Sequence, residues 1–135
     1  MPRFSRSEDL ARHLKKALDS LQAEVITTTQ AELGSSKVSP IDTGRLRSSW
    51  FAAEGTASSE VAPEGTDSPN TDATGLRVDS SKNYHLTNNL PYVQRVALEG
   101  HVVAKGPNWF RDFVDSRVPK IQAAAAKVVK REFEL

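Results

Sequence analysis

The residues best suited by type to chemistry are three histidines, His13, His85 and His101, and plentiful carboxylates. Neutral imidazole binds metals and moves protons near neutral pH. The histidines lack the spacing of a zinc motif, and no cysteine is present to complete one. No Gly-x-Ser-x-Gly elbow, phosphate loop or dinucleotide fingerprint occurs. The carboxylates fall on expected helix surfaces or in one acidic stretch, where solvation explains them better than paired acid–base work. The expectation is a protein with no catalytic, metal-binding or cofactor-binding residue, and not an enzyme.

The basic residues gather at the two ends: Arg3, Arg6, Arg12, Lys15 and Lys16 near the start, Lys120, Lys127, Lys130 and Arg131 near the finish. Arg45 and Arg47 lie between them. If the terminal helices pack together, a basic face results that could meet nucleic acid. Acidic residues such as Asp9, Asp19, Asp115 and Glu132 are interleaved, and the net charge is only +1. Solvated helix faces with local ion pairs are the simpler reading.

Those residues must be positioned by a short list of elements. The periodicity of Leu10, Leu14, Ala17, Leu18, Leu21, Val25 and Thr28 predicts a long helix over 8–33. Ser5 and Glu8 have capping-box spacing at its start, Gly34 is a natural stop, and the β-branched run Thr27–Thr29 weakens the last turns. The stretch Ser39 to Trp50 reads Ser-Pro-Ile-Asp-Thr-Gly-Arg-Leu-Arg-Ser-Ser-Trp. Asp42 is the expected N-cap of a short helical turn that sets Leu46 and Trp50 on one face. A strand should follow over 48–53.

From 52 to 75 the chain is small, polar and acidic, with Glu54, Glu60, Glu64, Asp67 and Asp72 and no Lys or Arg. A stretch this long without structure is unusual in a compact domain. It is expected to be a mobile excursion, or a hairpin tip that orders on a partner. Strand character returns over 76–88, Asn88-Asn89-Leu90-Pro91 marks a turn, and His101–Ala104 has the character of a short strand. Asn108 is the expected cap of a final helix bearing Phe110, Phe113, Val114, Val118, Ile121, Ala125, Val128 and Val129. Pro119 predicts a kink near Val118.

Strands between terminal helices define one α+β domain over 1–135. A small antiparallel sheet is flanked by a long N-terminal helix and a kinked C-terminal helix, with residues 52–75 as a long acidic excursion. Hydrophobic residues are 38% and mean hydropathy is −0.47, lean for a compact globule. No secretory signal or membrane span is expected.

Three blocks, in order, resemble the tail-completion proteins of long-tailed bacteriophages, small proteins of the virion neck that join head to tail. Pro40-Ile41-Asp42-Thr43-Gly44-Arg45-Leu46-Arg47-Ser48-Ser49 is similar to their Pro-x-Asp-Thr-Gly-x-Leu-x-x-Ser pattern. Thr87-Asn88-Asn89-Leu90-Pro91-Tyr92-Val93 is similar to their Asn-x-x-Pro-Tyr turn, and Gly106-Pro107 before Trp109-Phe110 to their entry into the last helix. The chain departs from the family where Glu99-Gly100 lacks an intervening aromatic, and in its long acidic stretch.

The resemblance implies a non-enzymatic virion protein, assembled in the host cytoplasm. It implies a homo-oligomeric ring, commonly six-fold, through which DNA passes without sequence-specific binding. Adjoining partners would be connector, head-closure, tail-terminator or tail-tube proteins. On this expectation Asp42, Thr43 and Gly44 form a structural turn, and Trp50, Tyr92, Trp109 and Phe110 anchor packing or interfaces. Glu60, Glu64 and Asp67 would meet a neighbouring subunit, an adjoining ring or the channel. A tail-terminator or head-closure role, and a nucleic-acid-binding adaptor using the basic helices, are the alternatives.

Overall fold

The computed structural model describes residues 6–35, 38–39, 44–93 and 108–135. The expected capping-box residue Ser5, turn residues Asp42 and Thr43, the segment holding His101–Ala104, and Gly106-Pro107 lie outside the described residues.

The first helix, α1, spans Ser7–Leu33, with Glu8 and Asp9 in its first turn, where carboxylates favour exposed amides. The Thr27–Thr29 run does not end it. The Thr27 and Thr29 hydroxyls donate to the carbonyls of Ala23 and Val25 four residues back, at 2.9 and 2.6 Å. Gly34 terminates it differently from the expectation. Its φ is −76°, so no left-handed turn is made. Its value is closeness: a Cβ there would come 2.8 Å from the Pro69 Cβ.

A four-residue helix, α2, covers Arg45–Ser48 and follows Gly44, whose φ of +85° places it in the left-handed region that favours glycine. Strand β1, Trp50–Glu54, pairs antiparallel with β2, Tyr84–Asn88, with Trp50 opposite Asn88 and Glu54 opposite Tyr84. The expected strand over 76–88 is therefore shortened to its second half. Residues 76–83 instead turn beneath α1, where the Ser80 amide donates to Asp19 at 2.7 Å and the Gln22 amide donates to the Lys82 carbonyl. Alternation of Leu76 and Val78 alone cannot supply a pairing partner.

The C-terminal helix is kinked. Helix α3, Trp109–Asp112, runs into a wide π turn, Phe113–Arg117, and then α4, Val118–Glu132. Pro119 has no N–H and its ring crowds the carbonyl four residues back; the wide turn just ahead of it accommodates both. Asn108 leads the helix with φ 62°, not with the expected side-chain cap bond. Asparagine tolerates that left-handed conformation better than most residues.

One core joins these parts: Leu33, Leu46, Trp50, Leu90, Trp109, Phe113 and Ile121, with Val25, Leu86, Tyr92, Phe110 and Val118 packed around them. Burying a side chain such as Leu46 or Ile121 stabilises by about 1.5–3 kcal/mol. The helices α1 and α4 run antiparallel. His13 meets Phe133 at one end, its ring edge-on at 5.4 Å, and Glu32 holds Arg117 at the other. The fold is α+β, with a two-stranded sheet between a long helix and a kinked one.

A two-stranded sheet is marginal by itself and exposes two free edges. Side chains cover the outer edge of β1. Gln30, buried at 1% exposure, donates from Nε2 to the Trp50 carbonyl at 3.1 Å and to the Asp72 carboxylate at 2.5 Å. Asp72 accepts from the Ala52 amide, and Gln30 Oε1 accepts from the Ala73 amide. This pair substitutes for a third strand.

Candidate assembly surface

The acidic segment is held on its own chain. The Ala62 amide donates to Ser49 Oγ at 3.1 Å, and Arg45 Nε donates to the Ala62 carbonyl at 2.8 Å. Asn89 Nδ2 donates to the carbonyls of Ser58 and Glu60, and Ser48 Oγ accepts from the Ser68 amide. Ala62 and Ala73 are buried at 3% and 1%. The physical reason is size: alanines pack where Val61, left 37% exposed, does not, and backbone groups do the anchoring. Ordering on a partner is therefore not needed for these contacts.

Three of its five acids are already engaged. Glu54 pairs with Lys82 at 2.9 Å and raises the Lys82 pKa through that hydrogen bond. Asp67 accepts from Arg47 Nε at 2.8 Å, and its side chain lies where a Cβ on residue 44 would stand. Asp72 serves the β1 edge. Glu60 and Glu64 are exposed and form no ion pair among the described residues.

Trp50 and Trp109 are 3% and 7% exposed, which makes them anchors of the chain's own core and leaves them little surface for an interface. Phe110 stacks on Trp50 at 5.4 Å and 19°, and with Tyr92 keeps a partly accessible edge. Gly44 ties the first block to the acidic segment through Asp67.

The two described histidines, His13 and His85, meet backbone carbonyls, and His101 lies outside the described residues. His13 Nε2 donates to the Phe133 carbonyl at 2.7 Å and His85 Nε2 to the Gly55 carbonyl at 3.0 Å. Among the described residues no group of His, Asp or Glu is arranged to hold a metal ion, and no helix is long and apolar enough to cross a membrane.

The apolar stripe of α1 departs from expectation in its first half. Leu10, Leu14 and Leu18 are 41%, 41% and 52% exposed, while Ala17, Ile26, Gln30 and Leu33 are buried. At about 100° per residue the three leucines fall between two occupied flanks. On one side His13 meets α4; on the other Lys15 and Asp19 meet residues 79–80. The stripe extends outward from Val25, which packs on the core. Helical spacing identified the stripe, but only the placement of α4 and residues 79–82 decides that its outer part stays open.

Sequence reasoning missed Gln30 and Ser39, both fully buried. A signal for Gln30 existed: it stands four residues after Ile26 and three before Leu33, on the buried face.

No family model matches this chain, and no curated protein or solved structure matches it either.

Proposed function

We propose that this chain is a structural assembly protein and, more particularly, a tail-completion or related neck component of a long-tailed phage, forming a homo-oligomeric ring around the DNA channel. The observation that carries this reading is the convergence of the three motif blocks. Leu46 from the first, with Trp50 directly after that block, Leu90 and Tyr92 from the second, and Trp109 and Phe110 from the third meet in one core. Each block, or its immediate neighbour in the chain, thus lends apolar residues to the core that holds the sheet against both helices. The open Leu10–Leu14–Leu18 stripe supports assembly, because it offers apolar surface to another copy.

Light scattering of the purified chain and imaging of virions test the reading. A ring at the neck is expected. A monomer at every concentration, absent from virions, would overturn it. Leu14→Asp should weaken association with little effect on stability, since Leu14 is exposed.

A second reading, a duplex-binding adaptor, draws on the α4 cations, which form no ion pair among the described residues. It predicts binding that falls steeply with salt, and absence of binding at low salt removes it.

A further inference from the structure

The exposed face of α4 carries Lys120, Lys127 and Arg131, with Lys130 beside them. Spacings of seven and eleven residues put the first three within about 20° of one line, over about 16 Å of helix. Ala123 and Ala124, both exposed, lie between them and leave the stripe unobstructed. Five other cations are engaged: Arg12 with Asp9, Lys15 with Asp19 and Asp79, Arg47 with Asp67, Lys82 with Glu54, and Arg117 with Glu32. The α4 cations form no ion pair among the described residues.

Glu60 and Glu64 are their counterpart. The backbone around them is fixed from both sides, by Asn89 on the Ser58 and Glu60 carbonyls and by Ser49 and Arg45 on Ala62. Two residues four apart span at most about 14 Å, comparable with the α4 stripe. The acidic segment is anchored on α2 and the sheet, whereas α4 packs on α1, and no ion pair joins the two within the chain among the described residues.

We infer that the α4 stripe receives the Glu60–Glu64 segment of a second copy, head to tail. This rests on the ring reading and names the contact that closes it. Because the two patches differ, a contact between one stripe and one segment leaves a stripe and a segment free for further copies, so the contact can propagate and close into a ring. Charge complementarity gives such a contact its orientation and its encounter rate. Exposed pairs are individually weak and screened by salt, so the contact sets direction while apolar surface adds strength.

The test uses two full-length variants, Glu60→Lys/Glu64→Lys and Lys120→Glu/Lys127→Glu/Arg131→Glu, each checked for native helicity. In sedimentation velocity each alone should self-associate at least tenfold more weakly than the parent. Mixed one to one, they should recover association, because the Lys loop of one meets the Glu helix of the other and the reverse pairing is also attractive. Parent-like association of either variant, or no recovery on mixing, overturns the inference. So does loss of duplex binding by the α4 variant with association unchanged, which would assign the stripe to DNA. A parent ring seen in virions but indifferent to both variants sinks this contact alone; a parent that never forms a ring sinks the ring reading with it.

Discussion

The indole N–H of Trp50 donates to the Ser39 hydroxyl at 3.0 Å, so the two ends of the Ser39–Trp50 block are joined inside the core. Ser39 is 0% exposed and donates in turn to the Leu33 carbonyl at 2.5 Å, where α1 ends. One hydroxyl therefore ties the last carbonyl of α1 to the first residue of β1 and sets the angle between them.

Ser39→Ala should cost about 1–3 kcal/mol, because it strands a buried indole N–H and a helix-end carbonyl. Urea unfolding measures it. A loss below a few tenths of a kcal/mol would mean that the angle is set elsewhere.

Gln30→Leu keeps the volume but leaves the Trp50 carbonyl and Ala73 amide without partners. A loss of about 1–3 kcal/mol is expected. Amide exchange at Ala73 and Ala52 should quicken, and cleavage of the 55–75 segment should rise, since Gln30 holds both that segment and the sheet edge.

Gly44 and Gly55 both have positive φ, +85° and +77°, but only Gly44 has neighbours within 4 Å of its added Cβ. Gly55→Ala should cost about 1–2 kcal/mol, the left-handed penalty alone. Gly44→Ala should cost more, because Asp67 must move and its ion pair with Arg47 weakens. Equal losses in thermal melts would refute the close approach.

Lys15 donates to Asp19 and Asp79, at 2.6 and 2.8 Å. Those hydrogen bonds, first among the causes, hold both carboxyls below the usual range and raise Lys15. A carboxyl depressed in the folded state contributes stability above its unfolded value of about 3.9 and loses it as pH falls through the folded value. A raised lysine contributes below about 10.4 and loses that contribution as pH rises through its folded value. Lys15→Met should therefore be less stable than the parent between about pH 5 and 9, with the gap closing toward pH 2 and again in strong alkali. A gap independent of pH would point to lost packing of the lysine stem.

Much of the fold was legible from local chemistry. The apolar period gave α1, Pro119 gave the kink, and Trp50 with Leu46 gave the entry to β1, because each of these effects acts within a turn or two of chain. The second strand was overextended, since a strand exists only where a partner supplies hydrogen bonds, and β1 supplies them only to Tyr84–Asn88.

Sequence by itself determined the two terminal helices, the kink at Pro119 and the segregation of acid at 52–75 from base on α4. Tertiary structure alone decided which of those groups remain free. Arg47, Lys82 and Gln30 engage Asp67, Glu54 and Asp72 from distant parts of the chain and leave Glu60 and Glu64 over. The packing of α4 and residues 79–82 on α1 likewise leaves Leu10, Leu14 and Leu18 open. The reason is that a residue's type and spacing fix what it can bond, while its exposure depends on which remote segment arrives beside it.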